Sequence, residues 1–176
     1  LPDSGVPGWR YGSYGTHLAS GMKGAARYLL GLDPNNLGSL SARAGTPKKV
    51  LIFETDGMPD EILDGGSTSL TTSGDVGAGF NASGDNGQNG CDNLLEVAKN
   101  AKDRGIVVIT VGFGQAATGR CKKSEGETGS TSRVRDVLAA AASSDPMTGA
   151  ASSASACNNP ASRAAENIDG DYFFCA

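Results

Sequence analysis

Lys49-Val50-Leu51-Ile52-Phe53-Glu54-Thr55-Asp56-Gly57 is the stretch that decides the fold. An unbroken apolar run, Val50 to Phe53, follows a pair of lysines and ends on two carboxylates, a threonine and a glycine. Apolar residues without alternation point to a strand buried on both faces, and such strands belong to parallel sheets. Asp56-Gly57 followed by Pro59 turns the chain at the strand's carboxyl end.

Working upstream, Leu18, Met22, Ala25, Ala26, Leu29 and Leu30 recur at helical spacing, which predicts a helix over 17–30. Thr16 is placed to cap it, and Gly31 and Pro34 to stop it. Downstream, 62–90 is dominated by Gly, Ser, Thr, Asp and Asn and reads as a flexible insertion. Asp75, Asn81, Asp85 and Asn86 within it match no calcium-loop spacing. Asn93 to Arg104 reads as a second helix, with Asn93 and Glu96 at capping-box spacing and Gly105 as its stop. Ile106 to Val111 is a second buried strand, ended by Gly112-Phe113-Gly114. Val134, Val137, Leu138 and Ala141 form the apolar side of a third helix, with Ser132 as its cap. A long Ser/Ala-rich loop covers about 143–168. Asp171-Tyr172-Phe173-Phe174-Cys175 closes the chain as a third strand.

Strands separated by helices run parallel with right-handed crossovers. The expectation is an α/β domain: a doubly wound, mostly parallel sheet with helices on both faces. With 176 residues the chain fits one domain, 1–176. Three strands make a poor independent sheet. The domain is therefore expected to be incomplete here, with strands before residue 1 and a covering helix after residue 176.

Charge and composition narrow the function. The net charge is −4, and no basic run exceeds Lys48-Lys49 or Lys122-Lys123, so no positive field offers itself to nucleic acid. No apolar run is long enough to span a membrane, and Leu1-Pro2-Asp3-Ser4 is no signal peptide. Cys91, Cys121, Cys157 and Cys175 sit in polar, loop-like sequence without zinc-site spacing, which suggests two disulfides and an oxidising compartment. Sequence leaves three pairings open. Strand adjacency favours Cys121 with Cys175, and so Cys91 with Cys157.

In open α/β sheets ligands bind at the carboxyl ends of the strands. Thr16, at a helix start, and Asp56, at a strand end, are hard oxygen donors on that rim, suited to Mg²⁺, Mn²⁺ or Ca²⁺. Their plainer readings are a helix cap and a turn residue. His17 reads as an exposed polar residue. No Gly-x-Ser-x-Gly elbow accompanies it, so a hydrolase, even a metal-dependent one, is the weaker class. Gly112-x-Gly114 begins like a dinucleotide fingerprint, but no helix is expected to start at once behind it.

Tyr14-Gly15-Thr16-His17-Leu18-Ala19-Ser20-Gly21-Met22 resembles the second metal-site element of von Willebrand factor type A domains. Lys49 to Pro59 is similar to the third, a hydrophobic strand ending in Thr-Asp-Gly-x-Pro. Gly105 to Gly114 resembles the strand that follows. Asp169 to Ala176 looks like the last strand of bacterial pilus-assembly and cell-surface members. The resemblance implies a non-enzymatic, extracellular adhesion module whose protein ligand completes the shell of a divalent cation. It implies Thr16 and Asp56 as ligand positions. The family's Asp-x-Ser-x-Ser element is missing from this sequence, so a structural fragment of such a protein without an active metal site is the alternative. The expected partners are a protein ligand, the domain's own upstream segment, or another copy.

Overall fold

The computed structural model describes residues 16–33, 44–59, 66–77, 86–121, 132–154, 157 and 159–176. In chain order these form α1 (Leu18–Leu30), β1 (Lys49–Thr55), α2 (Asn86–Lys102), β2 (Ile106–Gly112), α3 (Gln115–Thr118), α4 (Val134–Ala141), α5 (Pro160–Glu166) and β3 (Phe173–Cys175). The strands form one parallel sheet in the order β1-β2-β3. Lys49 pairs with Ile106 and Thr55 with Gly112, while Thr110 to Gly112 pair with Phe173 to Cys175. The α/β class and the parallel sheet are as expected.

One face of the sheet carries the core. Leu51, Ile106, Val108, Thr110, Phe173 and Cys175 are buried there. A methyl group added at Gly112 would lie 2.9 Å from Leu138 of α4 and 3.8 Å from Phe173, which places α4 over that face. Phe53 reaches towards Gly21 of α1 on the same face. α2 packs between α1 and α4, closing the layer with fully buried Leu94, Val97, Ala98 and Ala101. Fully burying a side chain the size of Leu94 or Val97 contributes about 1.5–3 kcal/mol, and an alanine methyl less. The opposite face holds Val50 and Ile52, which are 45% and 62% exposed. Of the expected doubly wound arrangement, the described residues thus give one packed helical layer and a face without a matching one.

α1 runs as expected to Gly31, whose φ of 74° and backbone bonds to Arg27 and Tyr28 carbonyls end it. Its cap position is His17 and makes no side-chain cap bond, so Thr16 is not the cap. α2 starts at Asn86, seven residues before the expected cap at Asn93. Asn93 lies inside the helix, fully buried, and donates from Nδ2 to the Gly77 carbonyl at 2.9 Å. The early turns are held from outside: Gln88 bonds Ser132 in both directions, and Cys91 is covalently tied to Cys121. Tertiary anchors here override the weak helix propensity of Gly87 and Gly90. α4 is capped at Arg133, not Ser132. A short helix, α3, does start behind Gly114, against expectation: Ala116 N donates to the Asp56 carbonyl and to Phe113. The expected loop over 143–168 contains α5, begun by Asn159 capping Ala161 N and by Pro160 in the first turn.

The expected insertion at 62–90 is also only partly loop-like. Residues 66–77 are pinned across α1 and α2. Leu70 and Val76 are 1% and 0% exposed. Ser20 bonds Val76 backbone in both directions. Lys23 Nζ donates to the Ser67 carbonyl at 2.6 Å, and Arg27 donates to the carbonyls of Leu70, Thr72 and Leu32. Asn100 donates to Thr68. Burial and the neighbouring Arg27 charge push the Lys23 amine below its usual value. Gly66 closes the segment by bridging Val76 with φ 99°, where a side chain would run into the Asp75 carbonyl. Asn81, Asp85 and the Asn86 side chain lie outside the described residues, and Asp75 is exposed.

Two disulfides form, as expected, but with other partners: Cys91–Cys121 and Cys157–Cys175, at Cα separations of 6.2 and 5.7 Å. The favoured pairing of Cys121 with Cys175 does not form although β2 and β3 are neighbours. The polypeptide turns through α3 after β2, carrying Cys121 back to the start of α2. Cys175 is in register with Gly112 inside β3 and faces the core, beside the segment entering α5. Two disulfides fit an oxidising compartment. No described helix is long and apolar enough to cross a membrane.

Candidate metal-binding rim

The carboxyl end of β1 is built by backbone bonds to the segment after β2. The Thr55 carbonyl accepts from Phe113 N at 3.1 Å, and the Asp56 carbonyl from Ala116 N at 3.2 Å. Thr55 is 7% exposed, and its hydroxyl accepts from Gly57 N at 3.2 Å, bending the chain directly after Asp56. Gly114 adopts φ 56°, and a methyl group there would lie 3.7 Å from the Asp56 Cβ. These contacts fix the Asp56 backbone while its side chain stays exposed.

Thr16 meets this turn from the other side. It pairs with Pro59 in a parallel bridge. Its Oγ1 lies only 2.6 Å from where a Cβ on Gly57 would stand, so glycine at 57 is what lets the hydroxyl approach. The two residues singled out from sequence are therefore brought to one rim, with Thr16 against the backbone of the residue after Asp56. Glu54 is exposed one position inside the strand end, and Phe113 is 39% exposed beside it. His17 is half-buried, not the exposed residue expected.

A hydroxyl and a carboxylate at one rim are hard donors of the type Mg²⁺ and Mn²⁺ take. They are two ligands where such a cation takes about six. Among the described residues no group of three or more His, Cys, Asp or Glu side chains gathers at a single point. Thr16 and Asp56 therefore fit as part of a shell whose remaining positions fall to water, to a ligand's carboxylate or to further polypeptide.

Sequence reasoning missed the buried cations Lys23 and Arg27. Their signal was spacing alone, four apart beside the apolar stripe of α1, which is also how lysine and arginine sit when they reach out to solvent. No protein-family model matches the chain, and neither a curated protein nor a solved structure is significantly similar to it.

Proposed function

We propose that this chain is part of a secreted or cell-surface domain of the von Willebrand factor type A kind, which binds a protein partner through a divalent cation. Thr16 and Asp56 would hold the cation, and an acidic group of the partner would complete its shell. The cation supplies a positive charge at an otherwise acidic rim. The polypeptide's own part is to hold a hydroxyl and a carboxylate on a turn fixed by Thr55, Phe113 and Ala116. The reading is that of a binding module, not an enzyme, and of the bacterial pilus-assembly or surface type. The observation that carries it is the approach of the Thr16 hydroxyl to the Asp56-Gly57 turn, made possible by a residue without a side chain. The motif resemblance and the two disulfides support the same reading.

Mn²⁺ titration followed by NMR tests it. Wild-type chain is expected to lose amide signals around Thr16 and Asp56 first, by paramagnetic broadening, and Asp56→Ala is expected to keep them. The same broadening in Asp56→Ala would remove Asp56 from the ligand set. No localised broadening in wild type would favour the alternative, a structural module without an active metal site.

A further inference from the structure

Ser20, Lys23 and Arg27 follow one another along α1 at intervals of three and four residues, so they share one side of the helix. All three end on the segment 66–77. Ser20 Oγ donates to the Val76 carbonyl at 3.2 Å and accepts from Val76 N at 2.9 Å. Lys23 Nζ donates to the Ser67 carbonyl and, at 3.4 Å, to the Thr72 hydroxyl, and Arg27 donates to the carbonyls of Leu70 and Thr72. Like charges four apart oppose a helix, and both of these are buried. The carbonyls of 66–77 offset that cost, so α1 cannot slide or roll without stripping two desolvated cations of their acceptors. The segment is in turn fixed to α2: Asn93 donates to the Gly77 carbonyl at 2.9 Å and Asn100 to the Thr68 carbonyl at 3.2 Å. Two residues before Asn93, Cys91 is bonded to Cys121, which follows the α3 turn whose Ala116 N holds the Asp56 carbonyl. Both halves of the rim therefore trace to one stretch of α2, Thr16 through α1 and 66–77, Asp56 through α3 and the disulfide.

We infer that 66–77 is a positioning strap for the rim: by gripping Ser20, Lys23 and Arg27 it sets where α1 stands along and about its axis, and so where the Thr16 hydroxyl meets the Asp56-Gly57 turn. Ser20 is the nearest of the three, about one helical turn from Thr16. The tolerance is small. Thr16 Oγ1 lies 2.6 Å, and its Cγ2 3.2 Å, from where a Cβ on Gly57 would stand. A slip of one residue moves a helix about 1.5 Å along its axis and turns it about 100°, which takes the hydroxyl off the turn. A binding group works only when its supports hold it to within about 0.5 Å. Ser20, Lys23 and Arg27 act through α1 and are positioning residues, not ligands. The consequence for a cation rests on the proposed reading of Thr16 and Asp56 as its ligands; the consequence for the place of the Thr16 hydroxyl rests on contacts within the chain.

Two measurements on the disulfide-bonded chain test this, the first without any cation. In metal-free buffer the NOE between the Thr16 methyl and the Gly57 α protons is expected to be strong in wild type. Ser20→Ala is expected to abolish it and Arg27→Met to weaken it, while the amide shifts of 106–112 stay in place and show that the sheet is folded. Val137→Ala, on α4 at the far side of α2 from α1, opens a cavity in the core and is expected to keep the NOE. That control separates loss of position from loss of stability. In the second measurement, Mn²⁺ titration, Ser20→Ala is expected to raise Kd about tenfold and Val137→Ala to leave it unchanged. A wild type that binds no Mn²⁺, yet loses the Thr16–Gly57 contact in Ser20→Ala, would refute the cation reading and uphold the strap. An NOE absent from wild type, unchanged in both Ser20→Ala and Arg27→Met, or lost equally in Val137→Ala overturns the inference, as does a wild-type Mn²⁺ affinity that Ser20→Ala leaves intact.

Discussion

Phe173 and Phe174 are chemically identical neighbours on opposite faces of β3. Phe173 is fully buried under α4, and Phe174 is half-buried on the face without the helical layer. The same division runs along β2, where Ile106, Val108, Thr110 and Gly112 are buried and Val107, Ile109 and Val111 only partly so. In β1 it is sharper, with Leu51 at 4% exposure beside Ile52 at 62%. The strand residues are apolar on both faces, but the described layer covers one. Hydrophobicity thus marks a strand as fit for double burial without determining how much of that burial a given chain supplies.

The largest effect should separate the two phenylalanines. Phe173→Ala is expected to cost about 3–5 kcal/mol, because the cavity opens inside the packed layer. Phe174→Ala should cost less than half as much in the same urea titration, and equal costs would break the distinction between the faces. Next, replacing Cys157 and Cys175 together by serine should cost about 2–4 kcal/mol. That bridge ties the last strand of the covered face to the segment before α5, and a midpoint unchanged from wild type would show that the core holds β3 unaided. Arg27→Met should follow at about 1.5–3 kcal/mol, since three carbonyls lose a charged donor. Its signature is faster hydrogen exchange in 66–77, leaving the sheet unchanged. Ile52→Ala, on the open face, should change stability by under about 1 kcal/mol; a larger loss would mean that the face is covered.

The smallest effect is a pH dependence. Asp145 accepts from Met147 N at 2.7 Å and from the Thr148 hydroxyl at 2.8 Å. The Met147 amide first, then the Thr148 hydroxyl, hold its carboxyl below the usual 3.8. A lowered folded value means that its contribution is complete above about pH 3.8 and is lost as pH falls through the folded value. The stability difference between wild type and Asp145→Asn should therefore shrink on acidification below that point, measured by thermal melts.

Much of the fold was legible because its signals are local. The runs 50–53 and 106–111 read as strands of a parallel layer from their length and β-branched content, and Gly31 marked the end of α1. α2 was misjudged at its start because Gln88 and Cys91 are held by Ser132 and Cys121, residues remote in sequence. The segment 66–77 read as free loop because its polar composition hides Leu70 and Val76, and because the lysine and arginine that grip its carbonyls lie more than forty residues earlier. At the rim, the sequence offered Thr16 and Asp56 as donors. It did not show that Thr16 would leave the cap position, or that Gly57 would make room for it.

The sequence by itself determined the three strands and the helices α1 and α4, that the strands run parallel, and which oxygen donors stand near their carboxyl ends. Periodicity, capping and turn chemistry are properties of neighbouring residues. Tertiary structure alone decided which cysteines join, which face of the sheet is buried and what holds 66–77 in place. Each of those depends on how distant segments meet in space, and identical local sequence is compatible with several such meetings.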